Sequence, residues 1–306
     1  MSRDHLSPTD ADLRATDPSE GRSVAAQAPA SRWPTVVQVL VAPLLLAVAV
    51  ALPALLTLLP GVRRINDPGL PTWVDAAAVV GLSVLVLVVA VAAVALVARL
   101  DGHRRLADLG WRWDRGRLAS LVIGIGVAAV VLVGVGVPLT QAGMLRVDDT
   151  ETVSGPLGTA LVVGLAQAFL LQGIPEELVF RGYLLRSLRL GPARAVLVSG
   201  LAFGAIHLIS QGGQQGWGER LAYLALPTGF GLAAGALALT TGSLWAAVGV
   251  HGGVHLTSLV VGVLAARGVG TPIGDGPALW LLAGLAWTLF AVVLLVVRHR
   301  REQQRR

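Results

Sequence analysis

Long apolar runs separated by short polar segments dominate the chain: about Thr35–Leu59, Val74–Leu100, Leu118–Leu139, Leu157–Leu188, Ala193–Ile209, Leu221–Leu239, Leu244–Ala266 and Pro277–Val297. Each is near or above the ~20 apolar residues a helix needs to cross a bilayer. The pattern predicts an all-α fold, a polytopic membrane helix bundle of about eight transmembrane helices. Residues Met1 to about Arg32 are polar and carry no apolar period, which predicts a disordered tail. The first apolar run starts too late and runs too long for a cleavable signal peptide, so it is expected to remain as an anchor. The expected organisation is a cytoplasmic tail over 1–33, N-terminal transmembrane helices over 34–150, a functional core over 151–270, and a last transmembrane helix with a basic tail over 271–306.

Composition reinforces this reading: 54% of the 306 residues are hydrophobic and only 14% are charged, with a mean hydropathy of +0.71. A soluble domain of that composition would lack a polar surface. Cysteine is absent, which removes disulfides, thiolate metal sites and a cysteine nucleophile. Every basic side chain is arginine, and the arginines cluster between apolar runs and at the ends, a topology signal and not a nucleic-acid surface. With a cytoplasmic N-terminus, 19 arginines fall inside and 5 outside, which predicts both termini in the cytoplasm of a multi-pass protein of a bacterial plasma membrane. Glycines such as Gly124, Gly126, Gly134, Gly136, Gly231 and Gly235 are expected to let helices approach closely. No strand precedes them, so a dinucleotide loop is not expected, nor any organic cofactor.

One stretch breaks the apolar monotony. Leu171 to Arg181, LQGIPEELVFR, places Glu176, Glu177 and Arg181 inside a membrane-length run. A charged side chain near the bilayer centre costs roughly 2.5–3.5 kcal/mol, so such residues face a protein interior or a watery cavity and mark function. Pro175 interrupts the backbone ladder beside them, and Gly173 and Gly182 leave room. Glu177 and Arg181, four apart in the favourable order, are expected to pair, which leaves Glu176 without its own counter-charge.

The turn at Gly191-Pro192 lies midway between Glu176 and His207, so in an antiparallel hairpin both sit ~23 Å from it. His251 and His255, in HGGVH, share one helical face. Counted from the turn at Thr241-Gly242, they lie ~14 and ~20 Å along their helix, which puts His255 nearest the depth of Glu176. His5, His103 and His299 fall in basic segments expected to be solvated. Carboxylates and imidazoles at one depth can share a proton, a water or a metal.

EELVFR (Glu176–Arg181), FGAIH (Phe203–His207) and HGGVH (His251–His255) resemble, in order and spacing, the EExxxR, FxxxH and HxxxN motifs of the CPBP family. That family comprises the CAAX-protease and bacteriocin-processing membrane proteins. The three motifs lie within about Gly155–Ala266. The resemblance implies an all-helical intramembrane endopeptidase acting on a peptide or membrane-protein substrate in the lipid bilayer. It implies that Glu176 and His207 activate a water, with Glu177 beside them, and that His251 and His255 bind the substrate carbonyl oxygen. His255 stands where the family usually has asparagine. Histidine donates a hydrogen bond, titrates or binds metal, so Glu176, His207, His251 and His255 also make an N/O set of the kind Zn(2+) takes.

Other chemistries meet the sequence less well. A serine protease would use Ser199, which lacks an evident partner at its depth, and an aspartyl protease would use Asp275, which lies outside a run. A proton or cation-coupled transporter would use the same buried groups, but no internal repeat is visible. A non-catalytic scaffold or immunity-type protein of the same fold is the remaining alternative.

Overall fold

A computed structural model of the chain describes residues 31–56, 58, 72–103, 105–147, 156–209 and 214–305. The expected disordered tail up to residue 30, with His5, lies outside these, whereas its last residues, Ser31 to Trp33, are described and packed against Asp101. Eight helices form where the apolar runs stand: α1 (Thr35–Leu56), α2 (Trp73–Leu100), α3 (Arg115–Gln141), α4 (Leu157–Ser187), α5 (Pro192–Ile206), α6 (Trp217–Thr241), α7 (Leu244–Ala265) and α8 (Pro277–Gln304). No strand forms among the described residues, so the protein is an all-α polytopic bundle. Seven helices are long and apolar enough to cross a membrane. The exception is α5, whose 15 residues reach about 22 Å against a hydrocarbon core of about 30 Å. It ends at Ile206, with His207 as its cap residue.

Large apolar side chains such as Leu40, Val130 and Leu289 are exposed on the outside of the bundle. In water that surface would be a liability, whereas hydrocarbon solvates it, so the helices carry their apolar side chains outward as well as inward. The interior is built by close approach of small residues. A Cβ at Gly249 or Gly253 of α7 would run into the backbone of α3 at Leu121 and Ile125, and one at Gly124 of α3 into that of α7. Gly231 likewise meets Gly200, and Gly136 meets Ile273, whereas Gly126 and Gly134 face open space and take no part in packing.

Helix α4 is not a regular α-helix. An α-turn at Ile174–Glu177 sits between two π-helical segments, Ala166–Gly173 and Leu178–Leu184. Pro175 has no N–H to donate toward Leu171, and its ring crowds that carbonyl, so the ladder cannot run through regularly here. The widened turns pack more residues into each turn than an α-helix does, and distances counted along α4 at 1.5 Å per residue are therefore too long. Two glycines bring α4 against α7: a Cβ on Gly173 would approach the backbone of Gly252, and one on Gly252 would overlap the ring of Phe169.

The cytoplasmic-side loops expected from the arginine pattern are also packed. Asp101, wholly buried after α2, accepts from Ser31 Oγ (2.7 Å), from the backbone N–H groups of Arg32 (2.9 Å) and Trp33 (2.8 Å), and from Gln38 Nε2 (3.1 Å). Tyr183 of α4 donates to it at 3.3 Å. His103, expected to be solvated, is instead only 2% exposed and sits 2.9 Å from Ser187 Oγ. The segment before α1 thus folds onto Asp101, some 70 residues away in sequence. His299 is exposed on α8.

Candidate active site

The two adjacent glutamates of α4 have different surroundings. Glu177 is fully buried, and its Oε1 receives both Arg181 Nη1 and His251 Nδ1, each at 2.9 Å. Arg181, also fully buried, gives a second hydrogen bond to the Gly231 carbonyl at 3.0 Å. Its guanidinium carbon lies 4.4 Å from the ring centre of Phe203, a cation–π contact. The expected Glu177–Arg181 pair is thus present, and it is enclosed between α4, α5, α6 and α7.

Glu176 makes no pair of that kind. Its side chain is 17% exposed, and its Oε2 lies 3.9 Å from His251 Nε2. His251 therefore stands between the two carboxylates, with one ring nitrogen toward each. It is His251, one turn nearer the Thr241-Gly242 end than His255, that meets the glutamates. The π-turns of α4 account for the difference from the counted depths. His255 stacks on His251 with ring centres 5.5 Å apart, and its own side chain is exposed.

His207 caps α5, and its Nδ1 lies 2.8 Å from the Phe203 carbonyl. That bond fixes the ring with Nδ1 as donor, so a neutral imidazole carries its lone pair on Nε2. Phe203 contacts the rings of Phe180, His207, Phe230 and His251, which makes the first residue of FGAIH the packing centre of the site.

These groups surround a cavity of about 410 Å³. Glu176, His207, His251 and His255 reach its wall, joined by Gln172 and Tyr223, over a floor of apolar and aromatic side chains. Glu177 and Arg181 lie behind the wall. Four of the five candidate catalytic residues are thus brought to one space, and the fifth holds one of them. Gln172 and Tyr223 were not singled out from sequence. Gln172 was findable as the polar residue four before Glu176 in an apolar run, whereas nothing local marks Tyr223.

The possible zinc set fares differently. Zinc takes about four N or O donors at roughly 2.0–2.2 Å. Nδ1 of His207 is engaged by a backbone carbonyl and Nδ1 of His251 by Glu177, which leaves Nε2 of each ring as the nitrogen a metal would use. Among the described residues no three His, Asp or Glu side chains stand close enough to hold a metal ion. The side chains as placed do not converge on one point, and no step below runs through a metal.

The rival nucleophiles are otherwise engaged. Ser199 is fully buried and donates to the Phe180 carbonyl at 2.9 Å. Asp275 accepts from Trp280 Nε1 at 2.5 Å, and its backbone pairs with that of Arg146.

A bundle of long apolar helices around a carboxylate–histidine cavity is the architecture of an integral membrane protein with a polar site inside its helices. Residues 158–257 match the family described as type II CAAX prenyl endopeptidase Rce1-like, a protease family, which supports the resemblance of the motif-bearing third of the chain to the CPBP/CAAX proteases. Among curated proteins, none matches the chain.

Proposed function

We propose that the protein is an intramembrane endopeptidase that hydrolyses a peptide bond at the level of Glu176. The observation that carries this reading is the division of labour between the adjacent glutamates. One is locked behind the cavity by Arg181 and His251, and the other opens on the cavity 3.9 Å from His251. A carboxylate without an arginine partner of its own, on the wall of a cavity beside imidazoles, is placed to take a proton from a water.

In this reading Glu176 accepts that proton while the water oxygen attacks the scissile carbonyl carbon. The C=O electron pair moves to oxygen, and His251 and His255 face the charge that develops there. Since Nδ1 of His251 is held by Glu177, an N–H at Nε2 exists in the imidazolium form, for which the flanking carboxylates supply the counter-charge. His207, oriented by the Phe203 carbonyl, steadies the attacking water. As the C–N bond breaks, the proton held by Glu176 passes to the leaving nitrogen. We further place both termini on the cytoplasmic side.

The test is a panel of quenched fluorescent peptides presented to purified protein in bicelles, with proton and cation flux measured in proteoliposomes in parallel. Peptide cleavage lost in Glu176→Gln supports the proposal. Flux that depends on Glu176 without cleavage would replace it with the transporter reading.

A further inference from the structure

A second cavity, of about 260 Å³, adjoins the first on the flank between α4 and α7. Gln172 and His255 line both, so these two side chains form the divide between them. The outer cavity is also walled by Gln167, Leu171 and Leu259, and the exposed neighbours Val162, Leu165 and Val260 place its mouth on the apolar outer surface of the bundle.

Two carboxamides on one wall are unexpected by helix geometry. Residues five apart on an α-helix point about 140° away from each other, because 3.6 residues complete a turn. Gln167 and Gln172 both belong to the π-helical segment Ala166–Gly173, in which the ladder joins residues five apart and so stacks them one turn above the other. The irregular backbone thus brings both amides to the same groove. Gln167 is exposed and Gln172 half-buried, so both amides are open to a hydrogen-bonding partner in the groove, and an amide without one in apolar surroundings is unfavourable.

We propose that this groove binds the substrate backbone in extended form, with Gln167 and Gln172 as its hydrogen-bonding groups, and leads the chain past His255 to Glu176. Side chains one helical turn apart are ~5–6 Å from each other. Backbone groups on one edge of an extended chain repeat every ~6.6–6.8 Å, so a pair of flexible carboxamides can serve two of them. Apolar side chains of the substrate then face Leu171, Leu259 and the surrounding lipid. This inference rests on the proposed peptidase reading, and the amides act by positioning.

The test measures binding apart from turnover. In the Glu176→Gln background, fluorescent peptides with apolar C-terminal halves are titrated in bicelles against Gln167→Leu, Gln172→Leu and the double variant. Each peptide is paired with ester analogues in which one backbone N–H is replaced by oxygen. The double variant is expected to bind about tenfold more weakly, and the loss from each leucine is expected to vanish for the ester at the contacted position. Equal binding by the double variant, equal losses for amide and ester peptides, or no saturable binding by any peptide would overturn the groove. Hydrolysis that persists in Glu176→Gln would overturn the peptidase mechanism while leaving a coupled binding result intact.

Discussion

Nδ1 of His251 lies 2.9 Å from the same Glu177 oxygen that receives Arg181, which ties α7 to α4 through one buried carboxylate. The arrangement makes Glu177 a positioning group. It balances the Arg181 guanidinium and fixes which nitrogen of His251 faces the cavity.

Glu177→Gln should therefore act first on folding. Removing one member of a buried ion pair leaves the other charge uncompensated, at a cost of about 3–5 kcal/mol. A lower melting temperature and folded yield in detergent are expected. Replacing both partners, as Glu177→Leu with Arg181→Leu, should recover much of the folded yield but not peptidase activity, because His251 loses its anchor. A double variant with full activity would show that the anchor is dispensable.

Glu176→Gln should separate chemistry from folding. The side chain is partly exposed, and its contact with His251 is at 3.9 Å, so its loss costs little packing. General-base catalysis contributes roughly 10²–10⁴-fold, and kcat should fall by about that factor with the melting curve unchanged. Wild-type turnover in this variant would remove Glu176 from the mechanism.

The glutamates, Arg181 and the motif histidines were legible in the sequence because a charge inside a membrane-length run is costly and therefore conspicuous. The neighbour of the glutamates was not. Counting 1.5 Å per residue along α4 selected His255, whereas the π-turns around Pro175 shorten the helix and bring His251 alongside. Gln172 was not legible for a different reason: glutamine is unremarkable in a helix until the fold places it on a cavity wall. The eight helices followed from apolar length, but the early end of α5 did not, since the apolar run continues to Ile209 after the helix stops at Ile206.

His255→Asn is expected to retain activity. His255 lines both cavities and stacks on His251, and no three-ligand cluster includes it. An amide can donate the same hydrogen bond to a developing oxyanion, whereas loss of one such donor altogether costs roughly 2.7–4 kcal/mol. His255→Ala should thus be about 10²–10³-fold slower, with the asparagine variant near wild type. Metal analysis of both proteins checks the alternative: stoichiometric zinc in wild type that disappears from an inactive His255→Asn would make the residue a ligand.

Topology is tested by parity. If α5 counts as a crossing despite its 15 residues, eight passes return the C-terminus to the side of the N-terminus. Reporter fusions in the α2–α3 loop and after Arg306 should then both read as cytoplasmic. An external C-terminal reporter would mean that one helix does not cross.

His103 provides a pH dependence outside the membrane spans. Burial lowers the affinity of its imidazole for a proton below the ordinary value of 6.5, and the carboxylates of Asp101 and Asp108 only partly offset this. The neutral ring is held against Ser187, with the Tyr183 ring edge-on at 6.5 Å. Because the folded pKa is depressed, the unfolded chain binds more protons between the two values, and stability rises with pH in that interval. The contribution is complete above about pH 6.5 and falls as the pH drops toward the folded value. Melting temperatures should accordingly decline on acidification from pH 7.5 to 5.5, and His103→Gln, which cannot take up a proton, should flatten that decline while His299→Gln, on the exposed end of α8, leaves it unchanged. An identical pH slope in wild type and His103→Gln would show that His103 does not carry the decline.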